Sequence, residues 1–467
     1  MKKFICFLLT VVLALGLCAC GESGGAAKGL QAGFGRANIT PEYEVQLSGG
    51  AATRNSEGYQ DYLYITFIAL QENGKTFLVG TMDFITADDL FCDPAKAAIS
   101  DATGIPKDNI LLAATHSHSS AAIRSDGTTN VDQYRKDFFD LAVQAAKDAV
   151  ADLAPTEVWY GSAEAEGMAW VRHYKLDNGT FAGSNFGNFS SGNIVGHAAE
   201  ADTELQLIKF ARAAEDKKDI VMMNFPAHAT MNQSNTVLSA DFPAPARDYI
   251  EANTDSLVAY FIAAAGDQVP SSRVLSETFS SDYLVYGEEL GRIAVETMDS
   301  LTKIENSGIR FSEKTYTGNY NKAGIERLPE ANQVKLIWDQ VGRGTTEGKN
   351  AAKEYGFASV YEVSAIINNS KAPETNSMQL RTLAVGDVSF IFAPYEMFGA
   401  QGMYVKENSP YPMTFVITCA QGAEGYLPNE LGWEIGSYES HVTKYERGTA
   451  EKIASEYVSM LEDLKAQ

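Results

Sequence analysis

The apolar run Ile110-Leu111-Leu112-Ala113 passes directly into Ala114-Thr115-His116-Ser117-His118-Ser119. Four apolar residues without a polar alternation read as a buried strand of the kind found inside α/β proteins. Side chains two apart on a strand point the same way, so this register predicts that His116 and His118 project together from the strand end. Strand ends are where α/β proteins usually build their sites. The chain has only six histidines, and a His-x-His pair in this position suits a divalent metal such as zinc. The plain alternative is two polar residues in a solvated turn.

The rest of the chain alternates strand and helix signals. Residues 62–70 and 76–84 flank Asn73-Gly74, a dipeptide that accepts the positive φ angles of a type I′ hairpin turn. Asp93, Pro94, Gly104 and Pro106 predict a helix that Asp93 caps and Gly104 ends. A long helix over 131–153 places Phe138, Leu141, Ala145, Ala149 and Leu153 on one face. Strands are expected at 205–210, 220–225, 256–265 and 414–419, with a hairpin of 382–385 and 388–392 around Gly386-Asp387. Helices are expected at 246–252, 283–301 and 444–464, with one opening at Glu396. The polar, helical stretch 319–361 has the character of an insertion or a lid. The pattern predicts an α/β or mixed α+β fold: one large domain over 30–467, with mixed sheets flanked by helices and no linker that divides it.

The first 19 residues are expected to be a lipoprotein signal peptide. Lys2 and Lys3 precede the apolar run 4–17, which is too short and too early for a stable span. Leu17-Cys18-Ala19-Cys20-Gly21 resembles a bacterial lipobox. It predicts cleavage before Cys20, lipidation of that cysteine and a flexible tether over 20–29. The expected location is the cell envelope, with the body held at a membrane surface through Cys20. The mature part keeps only Cys92 and Cys419 besides Cys20. Two separate buried thiols fit better than a disulfide framework. The formal charge of −23 becomes −25 once Lys2 and Lys3 leave, which disfavours nucleic acid and anionic surfaces as partners but not a cation site.

Other chemical residues fall at the ends of apolar runs. Asn224-Phe225-Pro226-Ala227-His228 ends a strand in a histidine, and Gly266-Asp267 follows another. Glu396 follows Phe392-Ala393-Pro394-Tyr395, Gly425-Tyr426 lies past the strand ending at Cys419, and Arg172 sits in Trp170-Val171-Arg172-His173-Tyr174. Singly, each has a structural reading: a turn cap for Asp267, a first-turn carboxylate for Glu396, a packed aromatic for Tyr426. Jointly they predict one convergent polar site. Gly33-Phe34-Gly35-Arg36 precedes strands rather than opening a helix, which excludes a dinucleotide loop.

In order along the chain, these motifs resemble the catalytic N-terminal domain of the neutral/alkaline ceramidase family. The resemblance begins at Gly33-Phe34-Gly35-Arg36-Ala37-Asn38-Ile39-Thr40-Pro41 and passes through Thr115-His116-Ser117-His118-Ser119 and Arg172. It continues with His228, Leu238-Ser239-Ala240-Asp241, Gly266-Asp267 and Ala393-Pro394-Tyr395-Glu396, and closes on Gly425-Tyr426 and Tyr438-Glu439. It stops short of the immunoglobulin-like C-terminal domain of that family.

The resemblance implies a zinc site of His116, His228, Glu396 and Tyr426, with His118, Arg172 and Asp267 beside it. It implies metal-assisted hydrolysis of the N-acyl bond of ceramide or a related N-acyl lipid. His118 is the candidate acid for the leaving amine, and His118, Tyr426 and Arg172 are candidates to face the oxyanion. The family's Gly-Asp-x-Ser-Pro reads Gly266-Asp267-Gln268-Val269-Pro270 here, its Gly-Pro after the histidine motif reads Ser120-Ala121, and Leu427-Pro428 replaces a threonine pair. These departures leave the metal better specified than the substrate. The competing readings are a metallo-esterase or amidase of another substrate, and a surface binding lipoprotein without catalysis.

Overall fold

The computed structural model describes residues 29–49, 54–124, 129–183, 192–272, 274–306 and 308–467. The leader, Cys20 and the tether up to residue 28 lie outside the described residues.

Strands β1 (Gln31–Asn38), β2 (Tyr64–Glu72) and β3 (Lys75–Met82) form an antiparallel meander. Asn73 and Gly74 close its hairpin with φ of 49° and 79°, as a type I′ turn requires. Helix α1 (Asp89–Thr103) leads into β4 (Ile110–Ala114), which pairs parallel to β3. Then follow α2 (Thr129–Ala151), β5 (Ala154–Glu164), β6 (Glu204–Arg212), β7 (Asp219–Phe225), α3 (Pro243–Asn253), β8 (Ser256–Ile262) and α4 (Tyr283–Thr297). The main sheet has the order β8-β7-β6-β5-β1-β2-β3-β4, with residues 302–303 added beside β5.

Next come β9 (Ile309–Asn319), helices α5 (Leu328–Val341), α6 (Thr346–Glu354) and α7 (Val360–Lys371), β10 (Thr375–Val385) and β11 (Val388–Phe392). The chain continues through β12 (Glu396–Met397), α8 (Gly399–Asn408), β13 (Met413–Ile417), β14 (Tyr426–Leu427), α9 (Glu430–Ile435), α10 (Tyr438–Val442) and α11 (Thr449–Lys465). The second sheet runs β9-β10-β11-β13. Among the described residues no helix is long and apolar enough to cross a membrane.

Strand alternation sorts the side chains into layers. Ile65, Phe67 and Ala69 of β2 pack with Phe91, Phe138 and Ala145 of α1 and α2. Ile68 and Leu70 point the other way and meet Leu383, Phe390 and Phe415 of the second sheet. The outer face of that sheet, with Leu380 and Ile391, is covered by Ile453, Tyr457 and Leu461 of α11. The result is a helix–sheet–sheet–helix stack, a mixed α/β fold as the sequence predicts. Gly33 and Gly35 have a packing reason: a Cβ at either would strike the backbone of α2 at Ala149 or Ala145. The main sheet also curls, so that β8 returns against β3 and the Thr81 hydroxyl donates to the Tyr260 carbonyl at 2.7 Å.

Several expected boundaries move. Helix α1 starts at Asp88, whose carboxylate accepts the Leu90 N–H, so Asp93 is not its cap and Pro94 lies inside the helix. Pro94 has no N–H to give the Leu90 carbonyl, and Arg135 Nη2 takes that carbonyl instead at 3.0 Å. Glu396 does not open a helix. Its N–H is committed to the Gly425 carbonyl at 2.9 Å, which makes it a strand residue, and α8 begins only at Gly399. The last helix starts at Thr449 rather than 444, after Gly448 in a left-handed conformation. The strands expected at 256–265 and 414–419 end earlier, at Ile262 and Ile417. Cys92 and Cys419 are both free and buried.

Candidate metal centre

The two histidines of the opening motif do meet, but not by strand alternation. Strand β4 ends at Ala114, whose N–H donates to the Cys419 carbonyl at 3.0 Å, and Thr115 donates to Met82 at 2.8 Å. His116 then takes φ of 65°, a left-handed turn costly for a residue with a Cβ. The turn folds the chain back, and the His118 N–H donates to the Ala229 carbonyl at 3.0 Å. His116 Nε2 and His118 Nε2 end 3.3 Å apart.

His228 arrives from the far side of the sheet, three residues beyond β7. Its N–H donates to the Gln268 carbonyl at 3.2 Å. Glu396 arrives from the second sheet on β12, paired in parallel register with Tyr426. Glu396 Oε2 lies 3.3 Å from both His116 Nε2 and His228 Nε2. Gly266 lets this happen: a Cβ there would strike the Glu396 carbonyl, and its N–H donates to Met397 at 2.7 Å.

The tautomers follow from the outer ring nitrogens. Nδ1 of His116 lies 2.6 Å from the Ile85 carbonyl, that of His228 2.6 Å from Ala265, and that of His118 3.1 Å from Gly49. A carbonyl can only accept, so each Nδ1 carries a proton, and in the neutral ring each Nε2 presents a lone pair inward. The ligand atoms of the three rings lie within 4.8 Å of one another. A fourth acceptor, the Glu396 carboxylate, faces the same point. His228 Nε2 and Glu396 Oε2 are buried without a hydrogen-bond partner among the described residues.

Acceptors that converge without a donor repel one another unless a cation lies between them. Imidazoles held by backbone carbonyls on their outer nitrogens are also the usual environment of metal-ligating histidine. The residues therefore fit a divalent metal, and the His116/His118/His228 cluster can hold one.

The electrostatics show that the cluster attracts positive charge. Burial and the charge on His116 bring His228 down to about 4, and burial with the neighbouring imidazoles pushes His118 well below its ordinary range. Burial opposes ionisation of Glu396, yet His116 and His228 hold its carboxyl well below the usual carboxylate range. Burial also opposes charge on His116, and Cys419 and Glu396 overcome it to hold that ring well above the usual imidazole value, so a proton on its Nε2 and a metal ion compete for the same position beside Glu396. The Cys419 thiol lies 3.4 Å from His116 Nδ1. The Glu396 side chain keeps 19 % exposure against 4 % and 1 % for His116 and His228, and His118 is likewise only partly buried.

Arg172, Tyr426 and Asp267 lie beside this cluster. Arg172 Nη2 donates to the Tyr426 hydroxyl at 3.3 Å and to the Gly266 carbonyl at 2.9 Å. Its Nε donates to Glu439 Oε1 at 2.8 Å, and Glu439 Oε2 takes His173 Nε2 at 3.0 Å. Burial opposes charge on both Glu439 and Arg172; each keeps the other ionised. Burial and Glu396 hold the Tyr426 phenol well above its ordinary range, so it stays protonated. The Asp267 carboxylate accepts the Gly399 N–H at 2.8 Å, at the start of α8, and its backbone carbonyl takes the Arg172 N–H at 2.8 Å.

Sequence reasoning assigned no role to Glu439, His173 or Cys419. Arg172-His173 did carry a signal, because two adjacent buried basic groups call for a carboxylate. The chain distance from residue 173 to 439 hid which one.

No family model matches the chain, and no curated protein matches it. Solved structures do match in fold. One described as ceramidase complexed with C2 superposes with a TM-score of 0.67 at 16% identity, over 94% of this chain and 76% of that one. The neutral ceramidase of Pseudomonas aeruginosa superposes with a TM-score of 0.66 at 16% identity, over 94% of this chain and 75% of that one. The chain has a neutral ceramidase-like fold.

Proposed function

We propose that this protein is a metal-dependent hydrolase of an amide bond, acting on ceramide or a related N-acyl lipid. The observation that carries the reading is the convergence of His116, His118 and His228 Nε2 with Glu396 Oε2, two of these atoms buried and unpartnered. The likeness in fold to ceramidases supports the choice of an amide. His116, His228 and Glu396 are the proposed ligands, with Tyr426 beside them, and zinc is the metal that best suits two imidazoles and a carboxylate. Such a metal supplies a Lewis acid and an acidified water at neutral pH.

The chain's own groups do the rest. Water oxygen adds to the acyl carbon, the carbon–nitrogen bond breaks, and the amine leaves with a proton. His118 is the proposed donor of that proton. Its Nε2, 3.3 Å from that of His116, takes the proton that the attacking water gives up and passes it to the leaving nitrogen. The Arg172 guanidinium and the protonated Tyr426 hydroxyl face the oxyanion, a well-placed donor being worth roughly 3 kcal/mol. Asp267 holds the Arg172 backbone and the start of α8 in place. Cleavage before Cys20 and its acylation would hold the enzyme at the cell-envelope surface, where N-acyl lipids reside.

The test is elemental analysis of purified protein beside Glu396→Ala, followed by hydrolysis assays on a series of N-acyl lipids. About one metal per chain, lost in the variant, together with release of free fatty acid, is the expected result. Hydrolysis of esters but not amides would make it a metallo-esterase. Folded wild-type protein that takes up no zinc would leave a binding lipoprotein instead.

A further inference from the structure

The three helices α5, α6 and α7 form a unit inserted into a hairpin. Strands β9 and β10 pair in register as far as Asn319 and Thr375. The chain thus leaves the second sheet and returns to the same point. Tyr320 donates its N–H to the Glu374 carbonyl at 2.9 Å, and Lys322 Nζ donates to the Asn369 and Ala372 carbonyls at 3.0 and 2.7 Å, which ties the two crossings together. The unit has its own core, with Val334, Trp338, Phe357 and Val363 in it.

One line of rings runs from this unit toward the metal centre. Tyr361 on α7 meets Tyr438 edge-to-face, centroids 5.4 Å apart and planes at 80°. Tyr438 meets Tyr426 in the same way at 5.5 Å and 71°. Tyr426 carries the Arg172 guanidinium over its ring at 5.6 Å and stands in register beside Glu396. On the outer side the Arg343 guanidinium lies over Tyr361 at 5.4 Å.

We infer that Tyr361 is a positioning residue of the metal centre, supplied by the inserted helical unit and acting through the ring of Tyr438 on Tyr426. Edge-to-face rings resist sliding because their quadrupoles fix the angle. Tyr426 belongs to a strand only two residues long and takes part of its orientation from the rings beside it. Loss of the Tyr361 ring removes one of the contacts that orient Tyr438, and with it part of the support of Tyr426. The inference rests on the proposed metal centre.

The experiment is titration of the full-length protein with cobalt(II), read by its visible d–d bands, alongside turnover of an N-acyl lipid that the hydrolysis assays show to be cleaved. The variants are Tyr361→Ala, Tyr361→Phe and Val334→Ala, the last loosening the unit's core while keeping the Tyr361 ring. Tyr361→Ala should bind cobalt at unchanged stoichiometry, shift the bands and lower kcat about 2- to 10-fold. Tyr361→Phe keeps the ring and should restore both readouts, and Val334→Ala should match wild type. Wild-type bands and turnover in folded Tyr361→Ala would overturn the inference while leaving the metal centre standing. Equal shifts in Val334→Ala would overturn it too, since the unit's packing rather than the ring would then be responsible. Absence of cobalt binding in wild type would remove the proposed centre and the inference with it.

Discussion

Glu396 and Tyr426 stand side by side in a parallel two-stranded ribbon, with the Glu396 N–H on the carbonyl of Gly425. The pairing puts a carboxylate and a protonated phenol at one edge of the histidine cluster. It explains why neither residue behaves as its local sequence suggests: Glu396 is not a helix-opening carboxylate and Tyr426 is not only a packed aromatic.

The proposed metal ligands should fail together. His116→Ala and His228→Ala should each abolish turnover, and bound metal should fall in parallel, because each removes one of the converging lone pairs. The check is metal content and initial rate on the same samples. Full activity in either variant would sink the assigned site.

Val269 pairs across from Trp170, two residues from Arg172. Val269→Ser introduces a hydroxyl where the ceramidase motif that this segment resembles carries one, and leaves all four converging atoms untouched. It should shift the ratio of kcat/KM between ceramide and other N-acyl lipids by about 10-fold, the scale of one buried hydrogen bond, with metal content unchanged. An unchanged ratio would show that this position does not read the substrate.

Glu439 is buried between Arg172 and His173. Glu439→Gln removes the charge that both depend on, and breaking a buried pair in this way costs about 3–5 kcal/mol. Urea unfolding should show the loss, and any turnover that remains should be low because Arg172 is no longer held toward Tyr426. A variant as stable as wild type would show that the network is better hydrated than its burial implies.

Asp61 and Asp241 make stability depend on pH. Burial raises each carboxyl to about 6 from an ordinary value of 3.8, against the hydrogen bonds each receives. The folded state therefore holds more protons than the unfolded chain between these values. The stabilisation is complete below about 3.8 and is lost as pH rises through about 6, by up to roughly 3 kcal/mol per group. Asp61→Asn should flatten the profile of urea midpoint against pH between about 4 and 6. A profile as steep as wild type would remove Asp61 as its source.

Short-range physics was legible in the residues. The Asn73-Gly74 turn, the strands before His116 and His228, the buried face of α2 and the cap at Gly104 all stand where periodicity and turn chemistry put them. Boundaries failed where a distant group intervened. Arg135 makes Pro94 tolerable inside a helix, and the Gly425 carbonyl holds Glu396 in a strand.

By itself, then, the sequence determined the mixed α/β class and which candidate residues lie near strand ends, because these depend on contacts a few residues apart. Only the tertiary structure decided that they meet. Residues 116 and 228 follow the edge strand β4 and the penultimate strand β7 near opposite ends of one curled sheet, and residue 396 comes from a two-stranded ribbon that follows β11 of the second sheet. The curl, the left-handed turn at His116 and the three carbonyls that orient the imidazoles are set by long-range pairing, which no local pattern encodes.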